Sequence, residues 1–409
     1  MQLHDRELAN GMERAESKMA MKLKALPVFL VFLAMGFSDA LGPFVSLAKR
    51  EFHLTTAAAS IIPLAGLSMY GLLPIPAGVL QSRRGKKFVL LLGLLITLTG
   101  LLNASFGLTT FPRFLLTVVM IGAGASILQV AGNPIMRDVS AAGKFSRNLV
   151  LGQFVKAIGS LSGPIIPVVA ARYFGASWQV IFPIYSVALL VTILAAATVR
   201  DKRDEFGPQA ATLRSCLALL GNRYVLMMTL AIFFYVGAEI SVSAGIPLYL
   251  KEQFDVDIAR VGLLGTGLFF AALIIGRFCG GVILNWIAPS RFLILSCVIS
   301  LAGLAGLFAP EKGVAICGFV LAGLGFANIF PLVFSAALER IPERASEISG
   351  LMVTAIVGGA LLPPLMGLVA DHSTVRLGFL IPIAAIVYVS AAALLNRRAS
   401  ESVAVPALN

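Results

Sequence analysis

The sequence predicts an all-α membrane protein, with twelve transmembrane helices in two pseudo-symmetric six-helix bundles. Three observations predict it. Of 409 residues, 58% are hydrophobic and only 13% charged, against about 25% charged in an average soluble domain. Apolar runs of roughly 20 residues recur along the whole chain, each long enough to cross a hydrocarbon core of about 30 Å as a helix. A single long charged segment, 200–223, interrupts these runs at the halfway point. The runs are continuous in Leu, Ala, Gly, Val and Ile rather than short and alternating, which excludes a β-barrel.

Taken in order, a polar tail, 1–25, precedes the first run at 26–47. That run exceeds a signal-peptide core, and no small-residue cleavage pattern follows, so it is read as a retained span. Runs at 58–80, 88–106, 114–135, 149–171 and 178–199 complete an N-terminal bundle, 26–199. The linker 200–223 carries Asp201, Lys202, Arg203, Asp204 and Glu205 ahead of Gly207 and Pro208. Runs at 224–249, 261–284, 292–308, 314–338, 348–369 and 377–395 form a C-terminal bundle, 224–396, followed by a tail, 397–409. Six spans on each side of a linker is the division produced by a parallel repeat with an inner three-plus-three repeat. A faint echo supports it: the segment from Gly78 to Lys87 follows the second span, and a weaker copy from Gly281 to Arg291 follows the eighth.

The net charge of +12 is an orientation signal rather than a nucleic-acid signal. With a cytoplasmic N-terminus, 22 of the 32 Lys and Arg fall in inside segments and eight in outside loops, leaving Lys156 and Arg277 within spans. The positive-inside rule therefore predicts a multi-pass protein of the bacterial inner membrane with both termini cytoplasmic. Cys216, Cys279, Cys297 and Cys317 show no metal or disulfide spacing. His4, His53 and His372 lie outside the membrane core and form no catalytic set, and no phosphate-binding Gly-x-x-x-x-Gly-Lys loop occurs. An enzyme is not expected, nor a resident cofactor or metal; energy, where needed, comes from a gradient.

Four charges lie inside the spans: Asp39, Lys156, Glu239 and Arg277. A charge at the centre of a membrane helix costs about 2.5–3.5 kcal/mol on insertion scales and marks a pathway, a coupling site or a partner. Gln129 and Asn133 are four apart and share a helix face, offering amide donors and acceptors to a polar ligand. Gln153 and Lys156 form a second polar pair, and Tyr235, Glu239 and Ser243 recur every four residues as a polar stripe. Lys156 is read either as the partner of Asp39 or as an anion attractor. Glu239 reads as a ligand or coupling residue, or as the partner of Arg277, which otherwise snorkels or caps a helix end. Asn328 ahead of Phe330 and Pro331 marks a broken helix whose freed carbonyls line a cavity. Phe154, Phe234 and Tyr235 are candidates to stack on the face of a ligand.

The loop Gly78-Val-Leu-Gln-Ser-Arg-Arg-Gly-Lys-Lys87 resembles the signature between spans two and three of the major facilitator superfamily. Its basic part, Arg83, Arg84, Lys86 and Lys87, is then the gating loop, but the family's loop aspartate is Ser82 here. A narrower resemblance, over nearly the whole chain, is to the fucose:proton symporter family. It rests on Phe37-Ser-Asp39-Ala-Leu41, Gln129-Val-Ala-Gly-Asn133-Pro134, Phe233-Phe-Tyr235-Val-Gly-Ala-Glu239, Asn328-Ile-Phe-Pro331, and the segment from Ile356 through Pro363-Pro364 to Asp371. The resemblance implies a monomeric transporter that moves a small sugar by alternating access, coupled to H+ or Na+ through Asp39, with Glu239 as a second coupling candidate. Read with the polar positions above, the candidate substrate-binding residues are Gln129, Asn133, Gln153, Lys156, Tyr235, Glu239 and Asn328. Two departures qualify it: the family's span-four glutamate is Gln129, and a span-five amide is Lys156. The alternatives are an exporter or antiporter of organic anions or amphipathic compounds that uses Lys156, and a uniporter in which Lys156 replaces the coupling ion.

Overall fold

The computed structural model describes residues 25–39, 44–108, 110–199, 211–256 and 266–404. The tail 1–25 except Ala25, Ala40 and Leu41 of the first-span motif, linker residues 200–210, the start of the eighth run at 261–265 and the end of the C-terminal tail at 405–409 lie outside the described residues. Within those described, ten helices are long and apolar enough to cross a membrane, and two bent helix pairs bring the number to twelve.

Proline and glycine chemistry sets the departures from straight rods. The first span is Ala25–Asp39 followed by Phe44–Glu51 at 46°, with Pro43, which has no N–H for a helical ladder, between them in sequence. The second bends by 43° between Ala58–Leu72 and Pro74–Arg84, where Pro74 opens the new helix. Spans three to six are Lys86–Ser105, Phe111–Val139, Phe145–Phe174 and Trp178–Ala197. The linker contains a short helix absent from the sequence reading, Leu213–Ala218, started by a capping box between Thr212 and Ser215. Spans seven to nine are Arg223–Phe254, Thr266–Ile283 and Pro289–Phe308. The tenth breaks between Lys312–Phe326 and Ile329–Arg340, and the eleventh passes through a 3-10 turn at Ala355–Val357. The last helix continues to Ala404, into the predicted tail.

Each half has an aromatic cluster at the end away from the basic loops. In the N-terminal half Trp178 packs on Phe44, Phe114 and Phe182; in the C-terminal half Tyr249 packs on Phe254, Phe319 and Phe379. At the opposite, basic end the two halves are joined. Gln81 donates to Ser346 at 3.0 Å, Arg137 to the Leu338 carbonyl at 3.1 Å, Ser146 to Ser335 at 2.9 Å and Arg147 to Asn285 at 3.0 Å. Spans two and eleven meet so closely there that a Cβ on Gly78 would collide with the Ser346 carbonyl, and one on Gly350 with the Pro74 carbonyl. Small residues at such crossings let membrane helices approach backbone to backbone.

Candidate functional site

The four intramembrane charges pair within their own halves. Lys156 Nζ lies 2.9 Å from Asp39 Oδ2, and Arg277 Nη2 lies 3.8 Å from Glu239 Oε1. The first pair stands where spans one and five touch: a Cβ on Gly36 would overlap the Lys156 carbonyl, and one on Gly159 the Leu33 carbonyl. Neither helix can carry a larger residue there without moving the pair apart. Ser160 adds a long contact, 3.5 Å, from its hydroxyl to Asp39. Asp39 is 42% exposed and Lys156 only 12%, so the lysine is the inner member. Asp39 ends the described part of its helix and sits at the bend of the first span.

Gln129, on span four, donates to the Tyr70 hydroxyl at 3.1 Å, and Tyr70 lies within electrostatic reach of Asp39. Tyr70 was not singled out in the sequence, because one tyrosine on an apolar run has no pattern to separate it from packing. Asn133 is fully buried, one turn further along the same helix, in a span that runs through Pro134 unbroken.

Across the interface, the break in span ten exposes two carbonyls, and both are used internally. Tyr235 donates to Phe326 O at 3.0 Å and is completely buried against the Phe326 and Phe330 rings. Arg277 Nε donates to Ala327 O at 3.4 Å. The Asn328 side chain donates to Gly276 O at 3.0 Å. Arg277 does not snorkel: it is 13% exposed, caps the broken helix, and also reaches Gln153 O of the other half at 3.4 Å. It is the member of the constellation that the sequence reading left outside the site. Ser243 is satisfied locally by Ile240 O. Phe154 faces Phe278 across the halves at 5.3 Å, whereas Phe234 packs on Phe233 and Tyr388.

The midplane set is also incompletely satisfied. Both side-chain atoms of Asn133, Gln153 Nε2 and Asn328 Oδ1 are buried without a protein partner. Buried polar groups are paired in the great majority of cases; these four unpaired atoms are contributed by both halves. A separate cavity of about 280 Å³, lined by residues including Ser146, Tyr224, Glu339 and Arg340, lies at the basic end, away from these amides.

The gating-loop residues have defined partners. Lys86 is buried and bonded to Asp138 of span four at 2.7 Å. Arg83 donates to Ala211 O at 2.9 Å, Lys87 to Ala197 O, and Arg84 lies over the Phe88 ring at 5.9 Å.

The Major Facilitator Superfamily model matches residues 28–356. A Helicobacter pylori protein provisionally named a glucose/galactose transporter is 30% identical, over 84% of this chain and 88% of its own length. The Brucella abortus glucose/galactose transporter is 25% identical, over 88% and 91%, and the Escherichia coli L-fucose-proton symporter 25% identical, over 84% and 85%. A crystal structure of the E. coli fucose:proton symporter superposes with a TM-score of 0.80 at 21% identity, covering 92% of this chain and 98% of that one. A proton:xylose symporter bound to a bromo-deoxyglucose superposes at 0.74 and 15% identity, over 90% and 94%. A bundle of this architecture, its halves joined at one end and its charges paired at mid-depth, matched by the family model over most of its length, belongs to the Major Facilitator Superfamily of membrane transporters.

Proposed function

We propose that the chain moves a neutral hexose across the inner membrane by alternating access between its two halves. The observation that carries this reading is the set of unpaired amide atoms on Asn133, Gln153 and Asn328. They come from both halves and offer donors and acceptors but no net charge. Polyhydroxylated ligands satisfy such atoms without bringing an uncompensated charge to mid-membrane. The names of the relatives, glucose/galactose transporter and L-fucose-proton symporter, support the same substrate class. Gln129, held by Tyr70, and Glu239, held by Arg277, complete the set from either side. Tyr235 supports it from behind, because its hydroxyl is committed to Phe326 O.

The joined end carries Arg83, Arg84, Lys86, Lys87, Arg137 and Arg147. Under the positive-inside rule this is the cytoplasmic end, and the structure then represents the state closed to the cytoplasm. Organic-anion export through Lys156 is less well supported, because the ammonium is neutralised by Asp39 at 2.9 Å. Symport with H+ or Na+ through Asp39 is the competing mode for the same substrate: the carboxylate is 42% exposed, but its Oδ2 already faces the Lys156 ammonium at 2.9 Å.

The test is counterflow in proteoliposomes, with labelled glucose, galactose and fucose set against their sugar acids. The neutral sugars are expected to exchange and to compete with one another. Exchange of the acids alone would refute a neutral substrate.

A further inference from the structure

The carboxylate that a coupling cation would use already holds one, tethered to the chain. A coupling site works by occupancy: a mobile ion is bound in one loading state and absent in another, and the two states differ in how readily the carrier reorients. At Asp39 that alternation is pre-empted. The Lys156 ammonium lies 2.9 Å from Oδ2, and the Gly36–Gly159 crossing holds the two helices in backbone contact around the pair. Lys156 is mostly buried, so it does not turn away into solvent without leaving an unpaired charge in the membrane. A second cation on the same carboxylate would meet the ammonium at close range and be repelled by it.

Among the described residues, the surroundings of Asp39 offer no replacement. Span two brings Tyr70, bonded to Gln129, and span five brings Lys156 and Ser160. Span four contributes Gln129, an uncharged amide bonded to Tyr70. In the other half Glu239 is matched by Arg277. Each half thus carries one acid and one base, and the empty carrier can reorient with no net charge at mid-membrane.

We infer that Lys156 is a built-in counter-ion that takes the place of the coupling cation, so that the chain equilibrates its sugar as a uniporter instead of accumulating it. This rests on the hexose reading above and is tested apart from it. The full-length protein is reconstituted, counterflow establishes the transported hexose, and a pH gradient or a Na+ gradient is then imposed separately with the membrane potential clamped. The inference expects internal sugar to reach the external concentration and stop under either gradient. A one-to-one proton symporter under a gradient of about one pH unit would reach about tenfold accumulation, and accumulation of that order under either gradient overturns the counter-ion role alone. Silence in counterflow for every hexose overturns the sugar reading on which it rests.

Two variants add a readout that a merely structural pair would not move. Lys156→Gln frees Asp39 and is expected to make uptake depend on Na+ or on acidic pH; a folded variant insensitive to both overturns the inference. Asp39→Asn with Lys156→Gln removes both charges and is expected to restore ion-independent exchange. A folded double variant that does not exchange shows that the pair does more than cancel charge, and it likewise overturns the inference.

Discussion

At the scale of single residues, the charge pair depends on glycine as much as on charge. Gly36 and Gly159 are where spans one and five come closest, and a methyl group on Gly36 would meet backbone atoms of Lys156, Gly159 and Ser160. Backbone cannot rotate aside as a side chain can. Overpacking a well-filled site costs typically about 1–3 kcal/mol, so Gly36→Ala is expected to lower the thermal midpoint in detergent, whereas Gly267→Ala, with nothing within 4 Å of its Cβ, is expected to leave it unchanged. Equal midpoints for the two variants would show that the crossing is looser than the structure has it. Arg277 allows a sharper test, because its planar fork reaches Gln153 O and Ala327 O while pairing with Glu239. Lysine keeps the charge and loses the fork. Arg277→Lys is therefore expected to fold and to bind sugar, but to change turnover by about tenfold or more, since a hydrogen bond from a charged group is worth about 1.5–3 kcal/mol. Kinetics in proteoliposomes read this as a shift in kcat larger than the shift in KM; the reverse pattern would make Arg277 a ligand-holding residue instead.

At the scale of elements, the linker helix Leu213–Ala218 fastens the basic end. Ser215 donates to Glu347, Arg344 donates to Ser215 O and pairs with Glu347, and Arg83 of the other half donates to Ala211 O just before the helix. Cys216 lies on the buried face of this helix, and burial, reinforced by the Glu347 charge and only partly offset by Arg344, pushes its thiol up to about 12. The neutral thiol is unreactive, so a variant keeping only Cys216 is expected to resist maleimide at neutral pH and to label faster when transported sugar opens the cytoplasmic end. Rapid labelling without sugar would mean that this helix does not cover the thiol. The helix itself was not legible in the sequence: six residues behind a charged linker give no periodicity, and its hold comes from Glu347, 132 residues away. The spans were legible, because a continuous apolar run has one interpretation at membrane depth. So was the break at Asn328. Arg277 was legible as the partner of Glu239 and as a helix cap, but its reach into the other half was not, because its acceptors, Ala327 O and Gln153 O, are backbone atoms 50 and 124 residues away, and no side-chain pattern announces a carbonyl. The acid for Lys86 was missed for a similar reason: the family resemblance directs attention to position 82, while the structure supplies Asp138 from the next helix pair.

At the scale of the whole molecule, the joined end has to part for alternating access, and the bonds that join it are few and mostly uncharged on one side. Neutral hydrogen bonds between membrane helices are worth about 0.6 kcal/mol on average, with a measured maximum near 1.7, and bonds from a charged donor about 1.5–3 kcal/mol, so Gln81–Ser346, Ser146–Ser335, Arg137–Leu338 and Arg147–Asn285 together bias the state toward closure of this end. A covalent bond in place of one of them would lock it. Ser146 and Ser335 are the best placed, because they face each other across the two halves with their hydroxyl oxygens 2.9 Å apart. In a chain whose four native cysteines are replaced, Ser146→Cys with Ser335→Cys is expected to cross-link under mild oxidation, to abolish sugar exchange, and to regain it on reduction. Sugar supplied from the periplasmic side is expected to slow the cross-linking, because loaded carriers spend time with this end apart. Cross-linked protein that still exchanges sugar at the parent rate would show that the halves do not separate here, and the alternating-access reading of this interface would have to be given up.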